Sequence, residues 1–111
     1  MTLLTQEIRA QLPVLYATEK IANADKIAVC KLFTPDSCWT WFVCEAGTGD
    51  EADLLFGFVI GFEAEWGYFS VAELESERGP MGLRMERDLH FKPCQMCVAA
   101  PDHFGGEVRD E

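Results

Sequence analysis

Residues 56–91, FGFVIGFEAEWGYFSVAELESERGPMGLRMERDLHF, constrain this chain more than any other stretch. An apolar strand, spanning 54–62, carries Gly57 and Gly61 in its interior. Glycines so placed mark a bulge or a close approach by another segment. Glu63 and Glu65 then fall on one face of the following alternation, and Gly67 reads as a break before a short extended piece at Tyr68 and Phe69. Ser70 stands three residues before Glu73, the signature of a capped helix start. The helix is expected over 71–77 and ends before Gly79-Pro80, which cannot continue it. Residues 86–92 alternate polar with apolar, predicting a half-buried strand with Leu89 and Phe91 inward.

The rest of the chain supplies partners for this half-sheet. Thr5 can cap a first helix, with Glu7 in its first turn. Ile8, Leu12 and Leu15 form one stripe, and Pro13 predicts that the regular helix stops near Leu12. Residues 16–25 read as a connection. Residues 26–33 (KIAVCKLF) are β-branched and apolar, a strand. Thr34-Pro35-Asp36-Ser37 is a turn, and 39–45 (WTWFVCE) is a second strand with Trp39, Trp41 and Val43 on one face. The two make a hairpin, and the loop 46–53 leads to the third strand. The expectation is one α+β domain over residues 1–98. It holds an antiparallel sheet of four to five strands, with the N-terminal helix and the helix near 71–77 packed on it. Residues 99–111 are expected to be a polar, flexible tail.

Charge is segregated. Of 19 acids and 9 bases, ten acids lie between Lys31 and Arg78, where there is no Lys or Arg. The nine acids outside that interval match the nine bases, so the net charge of −10 belongs to the middle of the chain. Such a field repels nucleic acid and membrane surfaces and attracts basic ones; solubility is the simpler use of it. Asp50, Glu51, Asp53, Glu63, Glu65, Glu73 and Glu77 come from a loop, a strand and a helix, and are the candidate partner-binding residues. No apolar run reaches the roughly 18 residues of a membrane helix, and the first residues do not read as an export signal. A cytoplasmic protein with reduced thiols is expected, with Cys30 and Cys44 as small buried apolar groups.

Catalytic machinery is not legible. Cys94 and Cys97 with His90 and His103 would give four zinc ligands, but in an order that matches no common zinc module. Glu86, Asp88 and His90 share a strand face and could hold a divalent metal, as could any exposed polar face. Glu63 and Glu65 lack the cleft a glycosidase needs. Trp39, Trp41, Phe42, Tyr68 and Phe69 lack the basic groove that accompanies a base-stacking platform. No cofactor and no metal are expected, and the chain is read as a non-enzyme.

Leu12-Pro13, Leu15-Tyr16, Phe33-Thr34-Pro35, Trp39-Thr40-Trp41, Phe56-Gly57, Gly61, Glu63, Glu65 and Gly67-Tyr68-Phe69-Ser70 form a pattern, continued by Glu73-Leu74, Arg78-Gly79, Gly82-Leu83 and Glu86-Arg87-Asp88. On these residues the chain resembles a family of small bacterial proteins known only as a domain of unknown function. Its members are encoded largely on plasmids, phages and integrative elements. The resemblance implies a shared fold, a mobile-element setting and a leaning toward counter-defence; it carries over no catalytic residue. Cys94-Gln95-Met96-Cys97 departs from the family, whose members continue there with small polar residues.

Together these readings predict an acidic inhibitor, monomer or homodimer. It would bind a host defence protein, a CRISPR effector or a restriction enzyme, at a basic nucleic-acid-binding surface, with no direct nucleic acid or membrane binding. The alternatives are a structural or regulatory interaction module without a defence role, and a small metal-dependent enzyme using Glu86, Asp88 and His90.

Overall fold

A computed structural model of the chain describes residues 3–104. Thr5 caps α1 (Gln6–Gln11) through its hydroxyl, which accepts from the Ile8 N–H at 3.2 Å; the helix stops at Leu12, before Pro13. The strands are β1 (Ile27–Ala28), β2 (Cys30–Phe33), β3 (Thr40–Ala46), β4 (Leu54–Ile60), β5 (Ala64–Ser70), β6 (Glu86–Arg87) and β7 (Cys94–Gln95). The second helix, α2 (Val71–Ser76), leaves β5 directly, and two short helices, α3 (Met96–Ala99) and α4 (Pro101–Phe104), follow β7. The main sheet is antiparallel, in the order β5-β4-β3-β2-β6, and β1 pairs with β7 in a small second sheet. The domain is α+β, as the alternation of apolar and polar residues predicts.

β3 is the centre of the sheet and is almost wholly buried. Trp41 and Val43 enter a core with Leu3, Leu4, Leu32, Leu55, Val71, Leu74 and Met85 on the side that α1 and α2 cover. Phe42 and Cys44 enter a second core with Ala24, Ala28, Phe58, Met96, Ala100 and Phe104 on the side that α3 and α4 cover. The sheet is therefore sandwiched, and a fully buried Leu or Phe contributes roughly 1.5–3 kcal/mol on either side. Pairing of β3 with β4 skips one residue between Val43 and Glu45. This bulge bends the central strand and brings the Glu45 side chain to the same side as Cys44.

Both glycines of β4 mark close approaches. A methyl group on Gly57 would lie 1.8 Å from the Phe42 carbonyl oxygen, beside the bulge. One on Gly61 would lie 2.3 Å from the Trp39 ring.

Four expectations need correction. Residues 26–33 are not one strand: Val29 donates to the Val43 carbonyl at 2.8 Å, and the chain then divides into β1 and β2, in different sheets. The split arises because Met96 donates to the Lys26 carbonyl at 2.8 Å and draws β1 toward β7. Gly67 does not break the chain; β5 runs through it, opposite Gly57. Residues 86–92 form only the two-residue β6, extended by Asp88 donating to the Lys31 carbonyl at 2.9 Å; Leu89 is exposed and Phe91 is half-buried on the second core. Residues after Ala99 remain part of the packed domain as far as Phe104, whose ring is buried against Phe58; 105–111 lie outside the described residues.

Candidate partner-binding face

α2 is fixed at its start by four hydrogen bonds. The Ser70 hydroxyl accepts from the Glu73 N–H at 3.2 Å and donates to the Asp53 carboxylate. The other Asp53 oxygen accepts from the Ala72 N–H at 2.9 Å, and the Asp53 carbonyl accepts from the Val71 N–H at 2.9 Å. The cap expected at Ser70 is present, but Asp53 joins it where a reciprocal bond from Glu73 would close a capping box. The Ser70 hydroxyl, the Ala72 N–H and the nearby Arg9 hold the Asp53 carboxyl below its ordinary value. Val71 and Leu74 point into the core, so Glu73 and Glu77, four apart, lie on the exposed side.

Beside that side runs a groove of about 460 Å³. Trp39, Trp41 and Phe69 line it from the sheet, Glu73 and Leu74 from α2, Glu77 from the residue that ends α2, and Pro80 from the turn beyond. The Trp39 and Trp41 rings stack at 5.7 Å, and the Phe62 ring, 94% exposed, meets Trp39 edge-on at 5.4 Å. The turn holding Pro80 is anchored by Gly79 donating to the Leu83 carbonyl at 2.9 Å and Met81 donating to the Asp36 carboxylate at 2.7 Å. Arg78 also lines the groove, and its guanidinium donates to the carbonyls of Ser76 and Glu77, each at 3.1 Å.

All seven candidate carboxylates are exposed. Asp50 and Glu51 form the short turn Gly49–Glu51, just before Asp53 at the start of α2. Glu65 shares a face of β5 with Gly67 and Phe69, the face that α2 covers. Glu63 lies in the turn at the other end of the β4–β5 hairpin, about 26 Å from Asp53 at about 3.3 Å per residue. The fold thus brings Asp53, Glu65, Glu73 and Glu77 to the α2 side and leaves Glu63 at its far margin. Two further acids of the interval leave that surface. Glu45 is 2% exposed, and Asp36 is half-buried against Gly79.

Glu45 belongs to a buried polar cluster that the sequence reading missed. It accepts from the backbone N–H of Tyr16 at 2.7 Å and of Thr18 at 3.0 Å, and from the Thr18 hydroxyl. The Lys26 ammonium, also buried, donates to the Thr18 carbonyl and lies 6.0 Å from the centre of the Trp66 ring. Tyr16 adopts φ 71°, a left-handed conformation uncommon for a non-glycine residue. The only sequence signal was a charged residue closing an otherwise apolar strand.

A match to a protein-family model decides the relationship: residues 3–99 fit the family described as Protein of unknown function (DUF2958). The chain belongs to this family. No curated protein and no solved structure matches it. In this DUF2958 chain, several residues behind the sequence resemblance hold the fold together. Gly61 lies under Trp39, Gly79 lies against Asp36, and the Arg87 guanidinium donates to the Leu3 carbonyl at 2.7 Å.

The other candidate groups of this family member do not converge. Asp88 pairs with Lys31 at 3.9 Å and accepts from the His90 N–H at 2.9 Å, while Glu86 and His90 are exposed. Among the described residues no three His, Cys, Asp or Glu side chains are placed to share a metal ion. Cys94 lies in β7, and its thiol is pushed up by burial and then by Cys97. Burial raises Cys30 and Cys44 to about 12 each, which fits their place in the two cores. Among the described residues no helix is long and apolar enough to cross a membrane.

Proposed function

We propose that this protein is a non-enzymatic, acidic binding protein that uses its α2 side to engage a basic, nucleic-acid-binding surface of another protein. The observation that carries the reading is the shared side of Asp53, Glu65, Glu73 and Glu77 beside an aromatic groove. Carboxylates from a loop, a strand and a helix lie together, and among the described residues none has a salt-bridge partner. Unpaired like charges on one side attract a basic partner and speed its encounter. The four acids span about 20 Å along the hairpin from Asp53 to Glu65, about one charge per 5 Å, so they resemble a phosphate backbone in sign and alignment but are sparser than its one charge per about 1.7 Å of axis. The mobile-element resemblance directs the target class to host defence proteins, a CRISPR effector or a restriction enzyme. The exposed rings of Phe62 and the side chain of Met81, 80% exposed, add apolar contact area of the kind that interfaces use.

Affinity capture from lysate of a bacterial host carrying such systems tests this, with a variant combining Glu65→Lys, Glu73→Lys and Glu77→Lys run in parallel. The wild type is expected to retain basic nucleic-acid-binding proteins that excess duplex DNA releases, and the variant to lose them. Recovery of the same proteins by both chains would overturn the proposal.

A further inference from the structure

We infer that the α2 groove is a receptor for a single arginine side chain of the partner, so that the acidic side recognises a guanidinium and does more than attract positive charge. This inference rests on the proposed binding function and names the chemistry of its contact.

The groove has two unlike walls. On the sheet side are the stacked rings of Trp39 and Trp41 and the ring of Phe69. On the helix side are the exposed Glu73, in α2, and Glu77, at its C-terminal cap four residues on. Lysine and arginine respond differently to such walls. An ammonium is a compact, strongly hydrated charge, and an aromatic wall removes part of its water without replacing it. A guanidinium is planar and weakly hydrated, lies favourably against aromatic rings, and carries five N–H donors in a fork that fits carboxylates. Two acids at a four-residue spacing offer acceptors to both arms of that fork.

The groove's own cation does not fill it. Arg78 lines the rim, yet its guanidinium is turned onto the Ser76 and Glu77 carbonyls at the end of α2. With Glu73 and Glu77 against this one cation, the net charge presented to an incoming group is negative. The volume of about 460 Å³ falls within the roughly 300–1,000 Å³ of small-ligand sites, so one long side chain enters without displacing core residues. Protein hot spots have this composition, with aromatic and arginine groups meeting in a sheltered pocket.

The closing experiment uses two fluorescein-labelled peptides of equal length and charge, one of lysines spaced by serine, the other identical but for one central arginine. Binding to the full chain is read by anisotropy at low salt and again at physiological ionic strength. The arginine peptide is expected to bind about tenfold more tightly, with the difference kept at the higher salt because a contact within the groove is screened less than surface charge. Glu73→Gln with Glu77→Gln is expected to erase that difference, and so is Trp39→Leu, while Glu19→Gln with Asp102→Gln on the opposite side leaves it intact. Equal affinity for the two peptides, with binding that salt abolishes, would overturn the arginine receptor and leave the proposed electrostatic function standing. Absence of binding to either peptide at low salt would overturn both.

Discussion

The Glu45 carboxylate, on the central strand, accepts from the Thr18 backbone N–H at 3.0 Å across 27 residues of sequence. Through the Thr18 carbonyl and hydroxyl it is linked to the Lys26 ammonium. The three residues tie the long connection after α1 to the middle of the sheet. Replacing Glu45 by Ala strips the buried Thr18 N–H and the part-buried Tyr16 N–H of their acceptor and removes the carboxylate that the Thr18 hydroxyl bonds. The expected cost is about 1–3 kcal/mol for the buried donor left unsatisfied, read as a fall in the urea midpoint at unchanged slope. An unaltered midpoint would mean that the connection folds without this anchor.

Asp53 and Ser70 couple the start of α2 to pH. The folded-state carboxyl of Asp53 lies below its ordinary 3.8, held there by the Ser70 hydroxyl, the Ala72 N–H and Arg9. A depressed carboxyl contributes stability that is present above the unfolded value and lost as pH falls through the folded one. The stability difference between wild type and Asp53→Asn is therefore expected to be constant from neutral pH down to about 5 and to shrink below 3.8. Ser70→Ala should cost about 0.5–2 kcal/mol by removing the cap. Thermal melts across the pH range check both, and a difference that stayed constant below pH 3.8 would contradict the linkage.

Gly57 and Gly67 face each other across β4 and β5 but respond oppositely to a methyl group. At Gly57 the new atom meets the Phe42 carbonyl oxygen, and at Gly67 it meets open space. Gly57→Ala should destabilise by about 1–3 kcal/mol or more. Gly67→Ala should be neutral or stabilise by up to about 1 kcal/mol, as the unfolded chain loses freedom. Equal effects at the two sites would contradict the packing of β3 on β4.

These glycines also show what could be read from sequence and what could not. Gly57 and Gly61 were legible as close approaches because a strand interior gives glycine few other uses. Gly67 looked the same and was misread as a break; which glycine has a neighbour over it depends on tertiary packing. Ser70 was legible because a cap is a local bond, and Trp39, Trp41 and Val43 because a strand alternates. The division at Val29 was not, since strand pattern does not say which partner a strand takes. Glu45 was hidden for a related reason. Its bonds go to backbone groups far away in sequence, and its inward direction depends on the bulge after Val43. On the candidate side, the sequence separated the acids from the bases, and the fold alone showed that Glu45 is buried and that a groove runs beside Glu73 and Glu77.

The cysteines divide by burial. Cys30 and Cys44, raised to about 12, should resist a thiol reagent at mildly alkaline pH until the protein unfolds, while exposed Cys38 reacts at once. A raised thiol contributes stability that is full below the ordinary 9.0 and lost as pH rises toward about 12. Stopped labelling with mass mapping would show the order, and early modification of Cys44 would contradict the second core.

The central claim is that one side of the molecule, not its net charge, makes the contact. The measurement that tests it most directly is the affinity of the captured partner for two charge-matched variants. Glu73→Lys with Glu77→Lys changes the α2 side; Glu19→Lys with Asp102→Lys changes net charge equally on the opposite side. The account predicts a loss of about tenfold or more for the first pair and less than about twofold for the second. Equal losses from both pairs would contradict it and leave the acids as a diffuse charge.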